Sequence, residues 1–411
     1  MREVIVIGGG VVGLASAWWL AEAGFGVTLL EGEATLGAGA SFRNGGQLSY
    51  RYVAPFADAG VPLKALRWLL QKDGPLRFRP EADRRQWRWL AQFVAHCNAH
   101  THRRTTARLL ALGELSRTAL GRLDGILPKD EFAWREAGKL VVYRSPALFD
   151  AAARAAGGGE VLSAAGCVAR EPALAAAQAV LAGGVFNQGE AVADCHAFCV
   201  GLGQRLRAHA RFRGIVRGQA RQLLVEHGKV RWLDTSAGML AADDIVLAAG
   251  IRSRTLAATA GIYLPLYPLK GYSLSAPIRP GDLAPDISVT DFERKVLYAR
   301  IGEQLRVAAM VDMVGEDASL DARRIAGLLR QARAAMPRAA DYEAMTAWAG
   351  LRPATPGSAP IIGATPLSNL WLNVGHGPLG FTLACGSASV LADVMRGVAP
   401  PIGMEGLGLG G

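Results

Sequence analysis

Residues 4–31 read VIVIGGGVVGLASAWWLAEAGFGVTLLE, and the fold turns on this stretch. Val4 to Ile7 is an apolar, β-branched run without polar alternation, the pattern of a strand buried on both faces. Gly8, Gly10 and Gly13 follow in G-x-G-x-x-G spacing. A helix is expected over Val12 to Ala23, stopped at Gly24, and a second strand over Val27 to Leu30, closing on Glu31. Gly8 permits the tight turn, Gly10 lets backbone approach a pyrophosphate, and Gly13 lets helix and strand pack closely. The helix start at Val11 and Val12 offers free N–H groups and a partial positive charge to phosphates. Glu31 stands 18 residues beyond Gly13, where a carboxylate accepts hydrogen bonds from ribose hydroxyls. These parts predict a dinucleotide site. The acid argues against a 2′-phosphate, and so against NADP, but leaves NAD and FAD open.

Composition fits two domains with a large core. The chain has 411 residues, 51% apolar and 19% charged, which argues against disordered and fibrous classes. The formal charge is +10, yet no block of five like charges occurs, so the excess reads as a solvated surface and no nucleic-acid partner is expected. Five cysteines without a Cys-x-x-Cys support neither a disulfide framework nor a zinc site, and suit a reducing, cytoplasmic compartment. His96, His100 and His102 lack an acid to complete a metal set. Arg2 and the apolar run after it imitate a secretory leader, but Glu3 and three consecutive glycines fit strand, turn and helix better. No run of about 18 apolar residues is expected to span a membrane. The Gly-rich tail Gly403 to Gly411 is expected to fray.

The choice of cofactor comes from a resemblance. Ser41-Phe42-Arg43-Asn44-Gly45-Gly46-Gln47 resembles the S-x-x-N-[AG]-G segment of the FAD-dependent D-amino acid oxidase (DAO) superfamily, where it lies along pyrophosphate and flavin. Leu247-Ala248-Ala249-Gly250 looks like the family's A-x-G segment near the FAD phosphates, and Gly214 to Val216 like its adenine-contacting strand. Gly350-Leu351-Arg352-Pro353, and then Gly375-His376-Gly377-Pro378-Leu379-Gly380-Phe381-Thr382, are similar to the segments that close the flavin site. The glycines free the backbone, and a helix starting near Thr382 aims N–H groups where reduced flavin gathers negative charge. Further blocks, among them Tyr267-Pro268-Leu269-Lys270-Gly271-Tyr272, are similar to the bacterial D-amino acid dehydrogenase small subunits, in register from Val4 to about Gly397.

The resemblance implies an α/β chain. A Rossmann-type, glutathione-reductase-like FAD-binding domain would comprise residues 1–53, 186–258 and 346–411. An α+β substrate domain on a mostly antiparallel sheet would comprise 54–185 and 259–345. Residues 139–143 and 305–310 read as strands lining a pocket, Ala191 to His209 as a helix, and Ile245 to Ala249 as the parallel strand after it. It also implies FAD-dependent oxidative deamination of D-amino acids, with hydride passing from Cα to flavin N5 and the imino acid hydrolysing to a 2-oxo acid and ammonia. D-hydroxyproline dehydrogenase and sarcosine-type N-methyl amino acid oxidase are alternatives; an RNA-modifying flavoprotein, suggested by the charge alone, is a remote one.

Arg352 is the expected carboxylate clamp, because a guanidinium pairs bidentately with a carboxylate and fixes two directions at once. Tyr272, Tyr50 and Tyr52 are candidates for substrate contact, Lys270 for stabilising charge at the flavin, and His376 for acid/base work. Residues 61–94 interleave Leu63, Leu66, Trp68, Leu69, Leu70, Trp87, Trp89, Leu90 and Phe93 with Lys64, Arg67, Lys72 and several further arginines. Such a basic amphipathic segment reads either as a membrane-interface helix or as a lid. In the first case the enzyme would sit peripherally on the cytoplasmic face of the inner membrane and pass electrons to a quinone or the respiratory chain.

Overall fold

The computed structural model describes every residue except Lys72 and Gly411. The expected βαβ unit is present as a strand Glu3–Ile7, a helix Val11–Glu22 and a strand Gly26–Glu31. Glu3–Ile7 pairs in parallel with Gly26–Glu31 on one side and Asp244–Leu247 on the other. Leu370–Val374 and Phe212–Arg217 extend the sheet in parallel, and Ile361–Ala364 closes one edge antiparallel. The continuous apolar run is explained by cover on both faces. Val4 and Val6 pack with Leu14, Trp18, Leu383 and Leu391 of two helices. Ile5 and Ile7 pack with Leu233 and Leu256 beneath a three-stranded sheet that spans Ala220 to Leu240. A Cβ on Gly13 would lie 1.8 Å from the carbonyl oxygen of Gly8, so no side chain fits where helix meets strand.

The second sheet has nine strands and is mostly antiparallel. Its order runs Thr346–Ala354, Tyr267–Pro277, Gln304–Met313, Val296–Ile301, Ser288–Asp291, Lys139–Tyr143, Gly183–Asn187 and Glu160–Ser163, with Leu76–Phe78 added on Gln304–Met313. Ser288–Asp291 and Lys139–Tyr143 pair in parallel. One core of Leu140, Tyr272, Leu274, Tyr298 and Val307 lies on its outer face with the helix Ala322–Ala335.

Four expectations are corrected. Thr346–Ala354 belongs to the second sheet, because its backbone pairs with Tyr267 to Ser275, so residue 346 does not begin a cofactor segment. The helix Ala99–Gly121, assigned by sequence to the substrate domain, packs into the cofactor core through Leu109, Leu112 and Leu120. Gly386 permits that crossing: a Cβ there would sit 2.8 Å from the Leu112 carbonyl oxygen. Ala191 to His209 is not one helix, because Ala191–Val192 forms a strand and the Asp194 carboxylate then caps Cys195–Arg207 by accepting from the Ala197 N–H at 2.9 Å. The tail is docked rather than frayed, with Leu407 fully buried and its carbonyl accepting from the Ile362 N–H at 2.6 Å; Gly411 lies outside the described residues.

The stretch Gly377–Met395 is long and apolar enough to cross a bilayer by length and composition, though Thr382, Ser387, Ser389 and Asp393 interrupt it. Its most apolar window is 72% buried inside the protein, as the central core helix.

Candidate active site

Both sheets face one cavity of about 2250 Å³. That exceeds the roughly 300–1,000 Å³ of a pocket for one drug-sized ligand, and leaves room for a dinucleotide with a substrate beside it. One end is built by the first turn. Gly8, Gly10, Val11 and Val12 line it with Glu31, Ala249 and Gly250. Gly8 adopts φ 114°, and a Cβ there would lie 2.6 Å from the Ala248 oxygen. A Cβ on Gly10 would face only Ser41 Oγ, 3.4 Å away, so backbone is open to a ligand. Glu31 accepts from the Gly9 N–H, and from the Glu33 N–H at 2.7 Å, which aims its carboxylate along the cavity wall. Gly13 and Val216 lie behind this wall rather than on it.

The other end is built by the late glycine turn. His376, Gly377, Pro378, Gly380 and Phe381 line the cavity, and the helix Gly380–Met395 starts there. Neither this helix nor Val11–Glu22 is capped by its own N-cap residue, and neither carries an acid in its first turn; Ser41 serves the Val11 N–H from outside. Two helix N-termini therefore open on one cavity, the arrangement that favours a long ligand with negative charge at two places. These residues fit FAD: one terminus suits the pyrophosphate, the other the flavin ring. Leu379 and Thr382 sit behind the turn, where the Thr382 hydroxyl donates to the Gln47 carbonyl at 3.2 Å and accepts from the Ser49 N–H at 3.2 Å. Ser41, Asn44, Gly45, Gly46 and Gln47 run between the two ends along the wall. Ser41 Oγ accepts from the Val11 N–H at 3.0 Å, and the Asn44 side chain from the Gly46 N–H at 2.9 Å.

Arg352 reaches the cavity from Thr346–Ala354, lying over Gly271 of the neighbouring strand, where a Cβ would meet its Nη2 at 2.1 Å. Nη1 donates to the carbonyl oxygen of Met310 at 3.0 Å. Met310 holds φ 72° beside an irregularity in the pairing of Tyr267–Pro277 with Gln304–Met313. The bulge thus turns a carbonyl toward the guanidinium. Burial pulls the Arg352 pKa down to about 10, opposed by the nearby Asp312 charge, so it remains a cation at neutral pH. No carboxylate lies within 4.0 Å of it among the described residues. A buried, mostly unpaired guanidinium on a cavity wall is a receptor for an anion.

The remaining candidates divide. Tyr52 lines the cavity and is partly exposed. Tyr272 lines it too, but its hydroxyl donates to Asp312 Oδ2 at 3.1 Å, away from the cavity, and Asp312 also pairs with Arg324 at 2.5 Å. Lys270 is turned the same way, with Nζ 3.7 Å from Asp317, and is not on the wall. The reason is strand parity: Leu269, Gly271 and Ser273 line the cavity, while Lys270 alternates to the other face. Tyr50 is a core residue of the cofactor domain, its phenol pKa raised by burial, and does not reach the cavity. His376 is buried, its pKa pulled down to about 3 by desolvation. Its Nε2 lies 2.9 Å from Ser387 Oγ, which itself donates to the Ala384 carbonyl at 3.1 Å, so the imidazole is the donor. This neutral ring holds the turn and has no proton to give as an acid at neutral pH. Sequence reasoning missed Lys139, Met310 and Arg306. Arg306 donates from Nη1 to the Asn44 carbonyl at 2.6 Å, behind the loop. The one available signal was a lysine opening an otherwise apolar strand.

The family model described as FAD dependent oxidoreductase (DAO) matches residues 3–394. The chain is 50% identical over 413 residues to a protein of Pseudomonas aeruginosa named D-amino acid dehydrogenase 2, covering 99% of this chain and 98% of that one. A protein of the same name from Ralstonia nicotianae is 46% identical over 416 residues, covering 97% and 98%. Among solved structures, glycine oxidase from Geobacillus kaustophilus superposes with a TM-score of 0.74 at 21% identity, over 100% of this chain and 99% of its own. L-proline dehydrogenase from P. horikoshii superposes at 0.71 with 18% identity, over 97% and 95%. These two show the fold.

Proposed function

The chain belongs to the DAO family of FAD-dependent oxidoreductases, and on that premise we propose that it is a D-amino acid dehydrogenase, oxidising the Cα–N bond of a D-amino acid to the imine. The observation that carries the reading is Arg352: a buried cation, without a carboxylate partner among the described residues, in the same cavity as two helix N-termini. Bound FAD supplies the two-electron acceptor. Arg352 holds the substrate carboxylate bidentately, and Met310 keeps the guanidinium in place over Gly271. Gly380 and Phe381, where the core helix opens on the cavity, would hold the flavin and favour negative charge there. His376 is neutral and Lys270 faces away, so the substrate amine enters already deprotonated rather than losing its proton to either side chain. Names of the relatives support the D enantiomer.

The electron acceptor is proposed to be a quinone, reached from a peripheral position on the cytoplasmic face of the inner membrane. Support comes from the helix Val61–Leu70, which buries none of its residues. Leu63 is 75% and Leu70 89% exposed, next to Lys64 and Arg67. Lys72, counted with this basic set, lies outside the described residues. The following helix Arg84–His96 is different in part: Trp87 is exposed, but Trp89, Leu90 and Phe93 pack inward. Loss of liposome sedimentation in Leu63→Asp/Leu70→Asp supports the surface, and unchanged sedimentation refutes it.

The catalytic reading is tested by anaerobic flavin bleaching with D- and L-amino acids, sarcosine and hydroxyproline isomers. Bleaching by D-amino acids that vanishes in Arg352→Met is expected. Bleaching only by N-methyl or cyclic substrates would move the assignment within the family.

A further inference from the structure

Lys139 opens the strand Lys139–Tyr143, lines the cavity, and is only 2% exposed. No carboxylate lies within 4.0 Å of its ammonium among the described residues; the buried Glu190 acts on it from farther away. Leucine or methionine would complete this apolar strand without the cost of dehydrating a charge. The ammonium instead has three specific neighbours. It donates to Gln47 Oε1 at 2.9 Å and to Ser49 Oγ at 3.1 Å, and it lies 4.0 Å from the centre of the Tyr52 ring. Because Gln47 Oε1 accepts from Lys139, its amide nitrogen is left to donate to Ser288, the residue paired with Lys139 on the adjacent strand.

The same three-residue stretch is gripped from the opposite side. Thr382, at the start of the core helix, bonds the Gln47 carbonyl and the Ser49 N–H. Gln47–Leu48 pairs with Ala191–Val192, and Glu190 accepts from the Arg51 N–H at 2.9 Å. The stretch is therefore a bridge with the substrate sheet on one side and the cofactor helix on the other. Lys139 is the only charged side chain among these contacts that comes from the substrate sheet.

We propose that Lys139 is a positioning residue for the flavin: it clasps Gln47 and Ser49 against Thr382 and so sets the cofactor loop relative to Arg352. This rests on the FAD reading of the cavity. It acts through Gln47 and Ser49 and touches neither the substrate carboxylate nor its clamp.

The test uses full-length apoprotein reconstituted with FAD. The FAD dissociation constant, the visible flavin spectrum, the limiting anaerobic reduction rate and the affinity for a non-oxidisable carboxylate such as propionate are measured. The proteins are wild type, Lys139→Met, Gln47→Leu and the double variant. Wild type that binds no FAD would overturn the cofactor reading itself. With that reading intact, Lys139→Met is expected to weaken FAD about tenfold, shift the flavin spectrum and slow reduction about tenfold, with propionate affinity within about twofold. The double variant should be no worse than the worse single one, because both break the same contact. An unchanged spectrum, FAD affinity and reduction rate, or losses that multiply in the double variant, would overturn the proposal. If Lys139→Met does not fold, Ser49→Ala removes one acceptor only; it is expected to move the spectrum and FAD affinity in the same direction, about threefold, and no movement refutes the clasp.

Discussion

Arg352 and Lys139 are two basic side chains of one sheet, both buried and both on the wall of the same cavity, and they differ in what they are already bonded to. Arg352 gives one N–H to a carbonyl and keeps the rest of its fork open to the cavity. Lys139 is engaged by two side-chain oxygens and an aromatic face. A donor set left open is a receptor; one already engaged is a fastener. Burial acts on both in the same direction, so the partners, and not depth, distinguish their roles.

The sharpest way to break this contrast is to remove the open charge. Arg352→Met should lower kcat/KM for the D-amino acid on the order of a thousandfold, the scale of a buried ion pair losing one partner, measured by steady-state kinetics with an artificial acceptor. The position of the guanidinium matters nearly as much. Gly271→Ala puts a Cβ 2.1 Å from Nη2 and forces the fork aside; a loss of about a hundredfold in kcat/KM is expected, with FAD affinity kept. For the engaged charge, the signature lies in pH. Burial lowers the Lys139 pKa from 10.5 to about 7, with Glu190 opposing. Between those values the unfolded chain binds the extra proton, so this group's contribution to stability rises with pH from about 7 toward 10.5. Wild type should therefore gain on Lys139→Met by on the order of 2 kcal/mol between pH 7 and 9 in urea unfolding. A difference that is flat with pH would show an ammonium far less dehydrated than its surroundings imply. The smallest effect is expected from Tyr272→Phe. Its hydroxyl serves Asp312 rather than substrate, so KM should change less than about twofold while stability falls by about 1 kcal/mol.

Legibility followed the same physics. The turns at Gly8–Gly13 and Gly375–Gly380 were readable because they need free backbone, and only glycine provides it at such spacing. Arg352 was readable through the resemblance of Gly350-Leu351-Arg352-Pro353 to a segment that closes the flavin site, and through the fit of a guanidinium to a carboxylate. Tyr272 and Lys270 misled because a residue's type says nothing of the face it takes. Parity around Gly271, with a bulge at Met310 set by pairing with a distant strand, aims both at Asp312 and Asp317. Tyr50 and Tyr52 lie two residues apart and diverge because the helix Ala99–Gly121 packs against Tyr50, its Gly113 closing on the Tyr50 backbone. Lys139 needed the fold to be seen: its partners lie about ninety residues upstream.

The register of the central strand also has a cost in time. Val4 pairs with Asp244 and Ile7 with Leu247, so the VIVI strand lacks one parallel neighbour until about 240 further residues have been synthesised. At about 5–20 residues per second, that is roughly 10–50 s during which the VIVI strand has one edge open. Long-range parallel pairing is slow to form and prone to wrong partners meanwhile. Synthesis rate and chaperone supply are therefore expected to affect how much of this protein folds.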